Sequence, residues 1–367
     1  MTINNKKLVG IHVDPHNKNS KVINRYKTIL DYNGIPYIIL DSNKPDFWEK
    51  VRELSLFIFH YYGTERQHRM ANTIIPIIEE YLKIPCYPNT LMSWLYDDKV
   101  REYYFLTQHS LPAIPTWIFW DKKAALQWLK SAQLPVVFKL KSGASDENVV
   151  LVNSFLYGRR LINKMFGKGI VSGYVPGLKS RKWLDMWTSE RIRQFLGKIR
   201  RTIQGEEINL YHQLHRDYVL FQKFLPDNKF DTRIAVIGKR AFGDVRYIRK
   251  FDFRASGSWN YSCNPGNIDQ RCIKIAFDIS KRFGFSSMIY DFLFDEDNQP
   301  FISEISYLQP DWRVWMYPGY WDENMDWHEG HNWLQYLILK DMLNMPHLKQ
   351  PEMKPDIDSH YYPLEQR

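Results

Sequence analysis

Apolar positions in the first ninety residues follow two rhythms. Short runs rich in β-branched and aromatic residues occur at KKLVGIHVD (6–14), IPYIILD (35–41), LSLFIFHYYG (54–63) and IPCYPN (84–89). Their length and composition are those of strands buried on both faces. Between them, Asn19–Asn33, stopped by Gly34, and Gln67–Leu82 carry apolar residues at helical spacing. The alternation predicts an open α/β domain with a parallel sheet over residues 1–95. HVDPHN follows the first strand, where a dinucleotide site needs G-x-G-x-x-G, so no nucleotide loop is predicted there.

Beyond Leu95 the pattern changes. Helices are predicted at Asp97–His109, Asp121–Gln133 and Ile268–Phe283. LPAIPTWIFW (111–120) reads as a strand entry, and LPVVFKLKSGASDENVVLVN (134–153) as two strands joined by a small polar loop. Further strands are expected at 218–225, 230–238, 242–251, 287–295 and 298–306. After Pro346 the chain turns polar and proline-containing, a tail (346–367) expected to wrap or fray.

Composition narrows the class. The chain has 367 residues, 44% hydrophobic and 25% charged, which excludes wholesale disorder and predicts two or three domains. No apolar run reaches the roughly 18–20 residues a bilayer requires. MTINNKKLVGIHVD lacks the apolar core of a secretory signal, so a cytoplasmic location is expected, at most peripheral at the inner membrane face. Cys86, Cys263 and Cys272 are too scattered for a disulfide framework or zinc cage. The formal charge of +9 is concentrated: residues 157–217 hold 13 Lys and Arg against 5 Asp and Glu. That segment could meet an anionic polymer or membrane surface, or be a solvated face with no partner. No nucleic-acid motif accompanies it.

Charge inside apolar strands carries the chemistry. Asp291 lies within IYDFLF and Glu304 within FISEIS, on strands joined by a DEDNQ turn. Carboxylates there are costly to bury unless something positive meets them, and two on adjacent strands could hold magnesium through oxygen. The bland alternative is an edge strand with both facing solvent. Lys139 (VVFKLK), Arg233 (FDTRIAV), Arg246 and Arg249 pose the same question with opposite sign. Together they predict a cleft for phosphate and metal.

From about Asp98 to Pro310 the order of these parts resembles the ATP-grasp superfamily, near its glutathione synthetase and RimK-type ligase branch. The resemblance implies an N-terminal α/β domain followed by two α+β lobes, 96–217 and 218–345, sandwiching ATP. It implies ATP and Mg²⁺, and amide formation between a carboxylate substrate and an amine acceptor through an acyl phosphate. Carried over by motif, Lys99, Lys139, Lys141, Ser142, Gly143 and Ser145 would meet phosphates. Gln222, Lys223, Phe224 and Leu225 would face adenine, and Asp227 ribose. Arg233, Arg246 and Arg249 would act on the transferred phosphoryl group, Arg254, Ser256 and Tyr307 on substrate, and Asp291, Glu304 and Ser306 on metal.

Departures accompany the resemblance. Asp146 and Asn148 stand where relatives often have glycine, which stiffens the phosphate loop; Lys223 replaces a hinge glutamate and Ser306 an asparagine. The stretch PDWRVWMYPGYWDENMDWHEGHNW (310–333) resembles a subgroup associated with surface-polysaccharide synthesis, leaving a sugar acid, amino acid or glycan-linked amine open as substrates. HEGH (328–331) lacks the i, i+4 histidines of a zinc protease, and most tryptophans nearby are expected to pack the C-terminal segment. The rival functions are a phosphotransferase or inactive ATP-binding homologue, and a non-enzymatic polyanion binder.

Overall fold

The structure, a computed structural model, describes residues 7–13, 20–61, 64–143, 148–172, 213–249, 252–255 and 259–366. The N-terminal sheet comprises β1 (Val9–His12), β2 (Tyr37–Leu40), β3 (Leu56–Phe59) and β4 (Cys86–Tyr87), parallel in the order β2-β1-β3-β4. Every residue of β1 and β3 is buried, as continuous apolar runs covered on both faces must be. Helix α1 (Lys21–Tyr32) turns Ile23, Tyr26, Ile29 and Leu30 inward and ends before Gly34, whose φ of 63° stops it. A short α2 (Phe47–Val51) precedes β3; α3 (Glu65–Pro76) begins at a Thr64 cap and passes into a π turn at Ile77–Tyr81.

Helices α4 (Thr90–Leu95) and α5 (Lys99–Gln108) lead into the second layer. Asp98 caps α5 by accepting from the Val100 and Arg101 amides, which fixes Lys99 at the first helical position. An antiparallel sheet follows from β5 (Thr116–Phe119), β6 (Val136–Lys139), β7 (Val149–Val152) and β10 (Val219–Lys223), ordered β5-β10-β6-β7. Helices α6 (Lys122–Ser131) and α7 (Phe155–Met165) cover one face, packing Leu129, Leu161 and Ile162 with Phe138 and Phe221. A two-stranded ribbon, β8 (Ile170–Val171) with β9 (Leu214–His215), stands beside it.

The third sheet has seven strands. Its path is β15-β14-β11-β12-β16-β17, with β13 on β12. These are β11 (Phe230–Ile237), β12 (Arg240–Tyr247), β13 (Tyr261–Ser262), β14 (Ser287–Phe294), β15 (Pro300–Ser306), β16 (Gly319–Asp322) and β17 (Trp327–Glu329). Helix α8 (Gln270–Phe283) lies on its back, with α9 (Asp311–Met316) and α10 (Leu334–Met342) toward the N-terminal sheet. The tail wraps: Leu348 is buried, the Trp333 indole donates to Met353 O, and Tyr261 Oη donates to Tyr361 O. Trp321 and Trp333 are buried, so these two tryptophans pack the C-terminal segment.

Of the basic segment 157–217, residues 173–212 lie outside the described residues. Among those described, no helix is long and apolar enough to cross a membrane.

Candidate active site

The inner faces of the second and third sheets enclose a cavity of about 600 Å³. Lys139 reaches it from β6, Gln222 and Lys223 from β10, and Phe224, Leu225 and Asp227 from the connection to β11. The opposite wall carries Arg246, Arg249, Arg254, Asp291 and Glu304, and Lys99 enters from the start of α5. Most of the charged side chains singled out from the sequence thus meet in one cavity; Arg233 and Lys141 do not line it.

Strand register explains the arrangement. Asp231 and Arg233, two apart on β11, share a face by the alternation of a strand. Asp231 lies opposite Arg246 on β12, Arg233 opposite Asp291 on β14, and Asp291 opposite Glu304 on β15. The register shifts just beyond Asp291, a bulge that leaves both Ser303 and Glu304 lining the cavity. The result is a row of alternating charge. Arg246 forks onto Asp231 at 2.6 Å for both bonds and reaches Asp291 at 2.7 Å. Arg233 grips Asp291 bidentately at 2.8 and 2.9 Å. Lys99 Nζ stands 3.2 Å from Glu304 Oε1.

Charge state follows from these contacts. Burial alone would raise the Asp291 carboxyl, but Arg233 and Arg246 outweigh it and hold it well below the ordinary range. Burial works to lower the Lys99 pKa, yet Glu304, Asp97 and Glu102 together hold it above normal. Asp97 is pushed up to about 6 by burial, partly offset by Lys99 and the Gly143 amide. Lys139 differs: it forms no ion pair with any described residue, and desolvation brings it down to about 8. Glu304, Glu102 and Asp291 favour its charged form and Lys99 opposes it, but desolvation outweighs them, so an anion entering the cavity that Lys139 lines would restore the charge.

Magnesium fits the donor set. A carboxylate offers about four lone-pair directions, and the three bonds to Asp291 leave one on Oδ1. Glu304 Oε2 makes no bond to a described residue. Among the described residues no cluster of three or more His, Cys, Asp or Glu could hold a metal. The protein's share would therefore be these two carboxylates, with phosphate oxygens and water as the rest.

Other predicted residues lie elsewhere. Arg233 stands behind Asp291 rather than on the cavity wall. The Ser306 hydroxyl is engaged locally: it donates to Leu308 O and accepts from the Leu308 amide, both at 3.3 Å. Tyr307 is a core residue, 2% exposed and packed with Tyr61, Tyr87 and Tyr96, because it points to the other face of the strand end. It corrects the substrate role expected from sequence. Lys141, Ser142 and Gly143 form the root of the loop between β6 and β7, where the Gly143 amide donates to Asp97 at 2.8 Å and Asn148 Nδ2 to Ser142 O at 2.9 Å. Asn148 thus ties the loop root. Ser145, Asp146 and Ser256 lie outside the described residues. His328 bonds Asp322, and His331 stacks on Trp315.

Sequence reasoning overlooked Asp231, Asp97 and Glu102. The i, i+2 spacing from Arg233 was signal enough for Asp231. Glu102, which accepts from the Ile305 amide at 3.0 Å, ties α5 to the strand carrying Glu304; only the packing of α5 on β15 shows it.

No family model matches the sequence, and no curated protein matches it. Among solved structures, the chain is similar to N5-carboxyaminoimidazole ribonucleotide synthetase from Thermotoga maritima. Identity is 10% and the TM-score 0.54, over 95% of this chain and 78% of that one. It is also similar to the biotin carboxylase domain of 2-oxoglutarate carboxylase from Hydrogenobacter thermophilus, solved with MgADP, ADP and bicarbonate. There identity is 12% and the TM-score 0.50, over 91% of this chain and 69% of that one. A RimK domain ATP-grasp protein from Sphaerobacter thermophilus aligns at 12% identity and a TM-score of 0.45, covering 81% and 90%.

Proposed function

We propose, from the premise that the chain has the ATP-grasp fold, that it is an ATP-dependent ligase joining a carboxylate to an amine. The observation that carries this reading is the cavity itself: an alternating row of arginines and carboxylates faces Lys139, which has no described ion-pair partner. The MgADP and bicarbonate bound to the Hydrogenobacter domain support it.

In this reading adenine lies against Gln222–Leu225, with Asp227 at the ribose. Lys139 and Lys99 neutralise phosphate oxygens, while Arg246 and Arg249, with Arg233 behind Asp291, face the γ-phosphoryl group. Arg254 holds the substrate carboxylate, whose oxygen takes the phosphoryl group as the bond to ADP breaks. The amine nitrogen then bonds to the acyl carbon as the bond to the phosphate oxygen breaks, and the proton lost from nitrogen leaves with the phosphate. A carboxylate is a poor electrophile, so the phosphate supplies the leaving group, and the protein contributes positioning and charge rather than a nucleophile. Asp291 and Glu304 would hold magnesium, which supplies neutralisation of phosphate charge.

Thermal denaturation with ATP and magnesium tests the nucleotide step. A ligand at about 100 times its Kd adds about 2.7 kcal/mol of stability; no shift with ATP or a non-hydrolysable analogue would overturn the assignment. ADP release that depends on an added carboxylate, with amide appearing only when an amine is present, tests the ligase step. ADP with a stable phosphorylated product would make it a kinase.

A further inference from the structure

We infer that His215 is a positioning residue for the loop root Lys141–Gly143, and through that root for the nucleotide's phosphates. Its consequence for ATP rests on the function proposed above; its geometry does not.

His215, on β9, is 1% exposed. Its Nδ1 lies 3.0 Å from Tyr218 Oη, and Tyr218 Oη accepts the Lys141 amide at 2.8 Å. Its Nε2 lies 2.9 Å from Ser172 Oγ and 3.3 Å from Ser142 Oγ. Ser142 Oγ donates to Gln213 Oε1 at 2.8 Å, and Ser172 Oγ to Gln213 O at 3.4 Å. With the Ser142 proton on Gln213 Oε1, the Ser142 oxygen offers Nε2 a lone pair, which suits a hydrogen on Nε2. That tautomer leaves Nδ1 to accept the Tyr218 proton. The two ends agree on one neutral tautomer, in keeping with burial, which lowers the imidazole to about 4 with help from Lys141 and Lys99.

The relay starts and ends on the same loop, at the Lys141 amide and the Ser142 hydroxyl. It closes a ring that holds two successive residues in fixed orientation. An imidazole is suited to this because one nitrogen accepts while the other donates. The same root is joined to Lys99, whose amide donates to Lys141 O at 2.8 Å and whose Nζ donates to Gly143 O at 3.3 Å. Loosening the relay would therefore disorder the loop root and the lysine together.

The test uses the full chain and two readouts. Calorimetry with ATP and magnesium should show His215→Leu and Tyr218→Phe each weakening ATP about tenfold, the loss expected for one hydrogen bond of about 1.4 kcal/mol. The double variant should be no weaker than the worse single, because both break one chain. His215→Asn, whose amide oxygen can take the Tyr218 proton, should recover most of the loss, a rescue that a purely space-filling role would not give. Hydrogen exchange without nucleotide should show the Lys141 amide opening about tenfold faster in Tyr218→Phe, while amides of the N-terminal sheet that open locally keep their rates. Unaltered exchange and ATP affinity in His215→Leu and Tyr218→Phe would overturn the inference. Should His215→Leu fail to fold, Tyr218→Phe, which removes the hydroxyl that accepts the Lys141 amide, still decides through the exchange of that amide. Failure of the wild-type chain to bind ATP would remove the proposed function, and the exchange of Lys141 would still decide for or against the relay.

Discussion

Two charged clusters lie on the same face of the seven-stranded sheet and differ in one respect. Around Asp244, two residues from Arg246 on β12, every charge is matched and sealed. Arg313 donates to its carboxylate at 2.7 Å, Tyr317 Oη at 2.6 Å, and the Arg313 guanidinium covers the Tyr261 ring at 3.3 Å. Asp244 is fully buried. The cleft row uses the same chemistry, but it opens on a cavity and leaves Lys139 without a described carboxylate partner. A closed network contributes architecture. An open one keeps a cation available at a cost in the stability of the empty protein.

Lys139→Met gives the largest expected effect. ATP affinity should fall at least a hundredfold in calorimetry, while the empty protein should gain about 1–2 kcal/mol in denaturant unfolding. The lowered pKa sets an upper limit near 3 kcal/mol, which solvent in the cavity reduces. A variant that loses stability would show that Lys139 is already paired.

Substituting the two aspartates by asparagine sharpens the contrast. Asp291→Asn and Asp244→Asn should each cost about 3–5 kcal/mol, since each strands buried guanidinium groups. Only Asp291→Asn should also abolish the magnesium dependence of ATP binding; Asp244→Asn should leave Kd within about threefold. Equal effects on binding would erase the distinction between the clusters.

The pH dependence comes next. In the empty protein Lys139 loses its proton near pH 8, below the ordinary lysine value, whereas bound phosphate favours the charged form. ATP binding should therefore take up a proton above pH 8, with Kd rising toward tenfold per pH unit. The unfolded chain binds more protons between pH 8 and about 10.5, so the Lys139 contribution to stability increases with pH across that window. Both trends should vanish in Lys139→Met. The smallest effect is expected for Asn148→Ala, which frees the Ser142 carbonyl and should weaken ATP about threefold.

Much of this was legible in the chain. Long periodic segments such as Asn19–Asn33 and Ile268–Phe283, and apolar runs such as LFIF, became the helices and strands their spacing predicts, because local periodicity decides which face is buried. Helices α2 and α4, five and six residues long, were not foreseen: so few residues carry little periodic signal, and packing stabilises them.

The sequence by itself determined which charges interrupt apolar strands, and hence that Lys139, Arg233, Asp291 and Glu304 need partners. Tertiary structure decided who those partners are. Arg233 meets Asp291 across 58 positions of chain, Lys99 meets Glu304 because α5 docks on β15, Ser306 bonds Leu308, and Tyr307 enters the core. Desolvation and register belong to the assembled sheets, so the same type of residue, lysine, has its pKa raised at Lys99 and lowered at Lys139 within a single cavity.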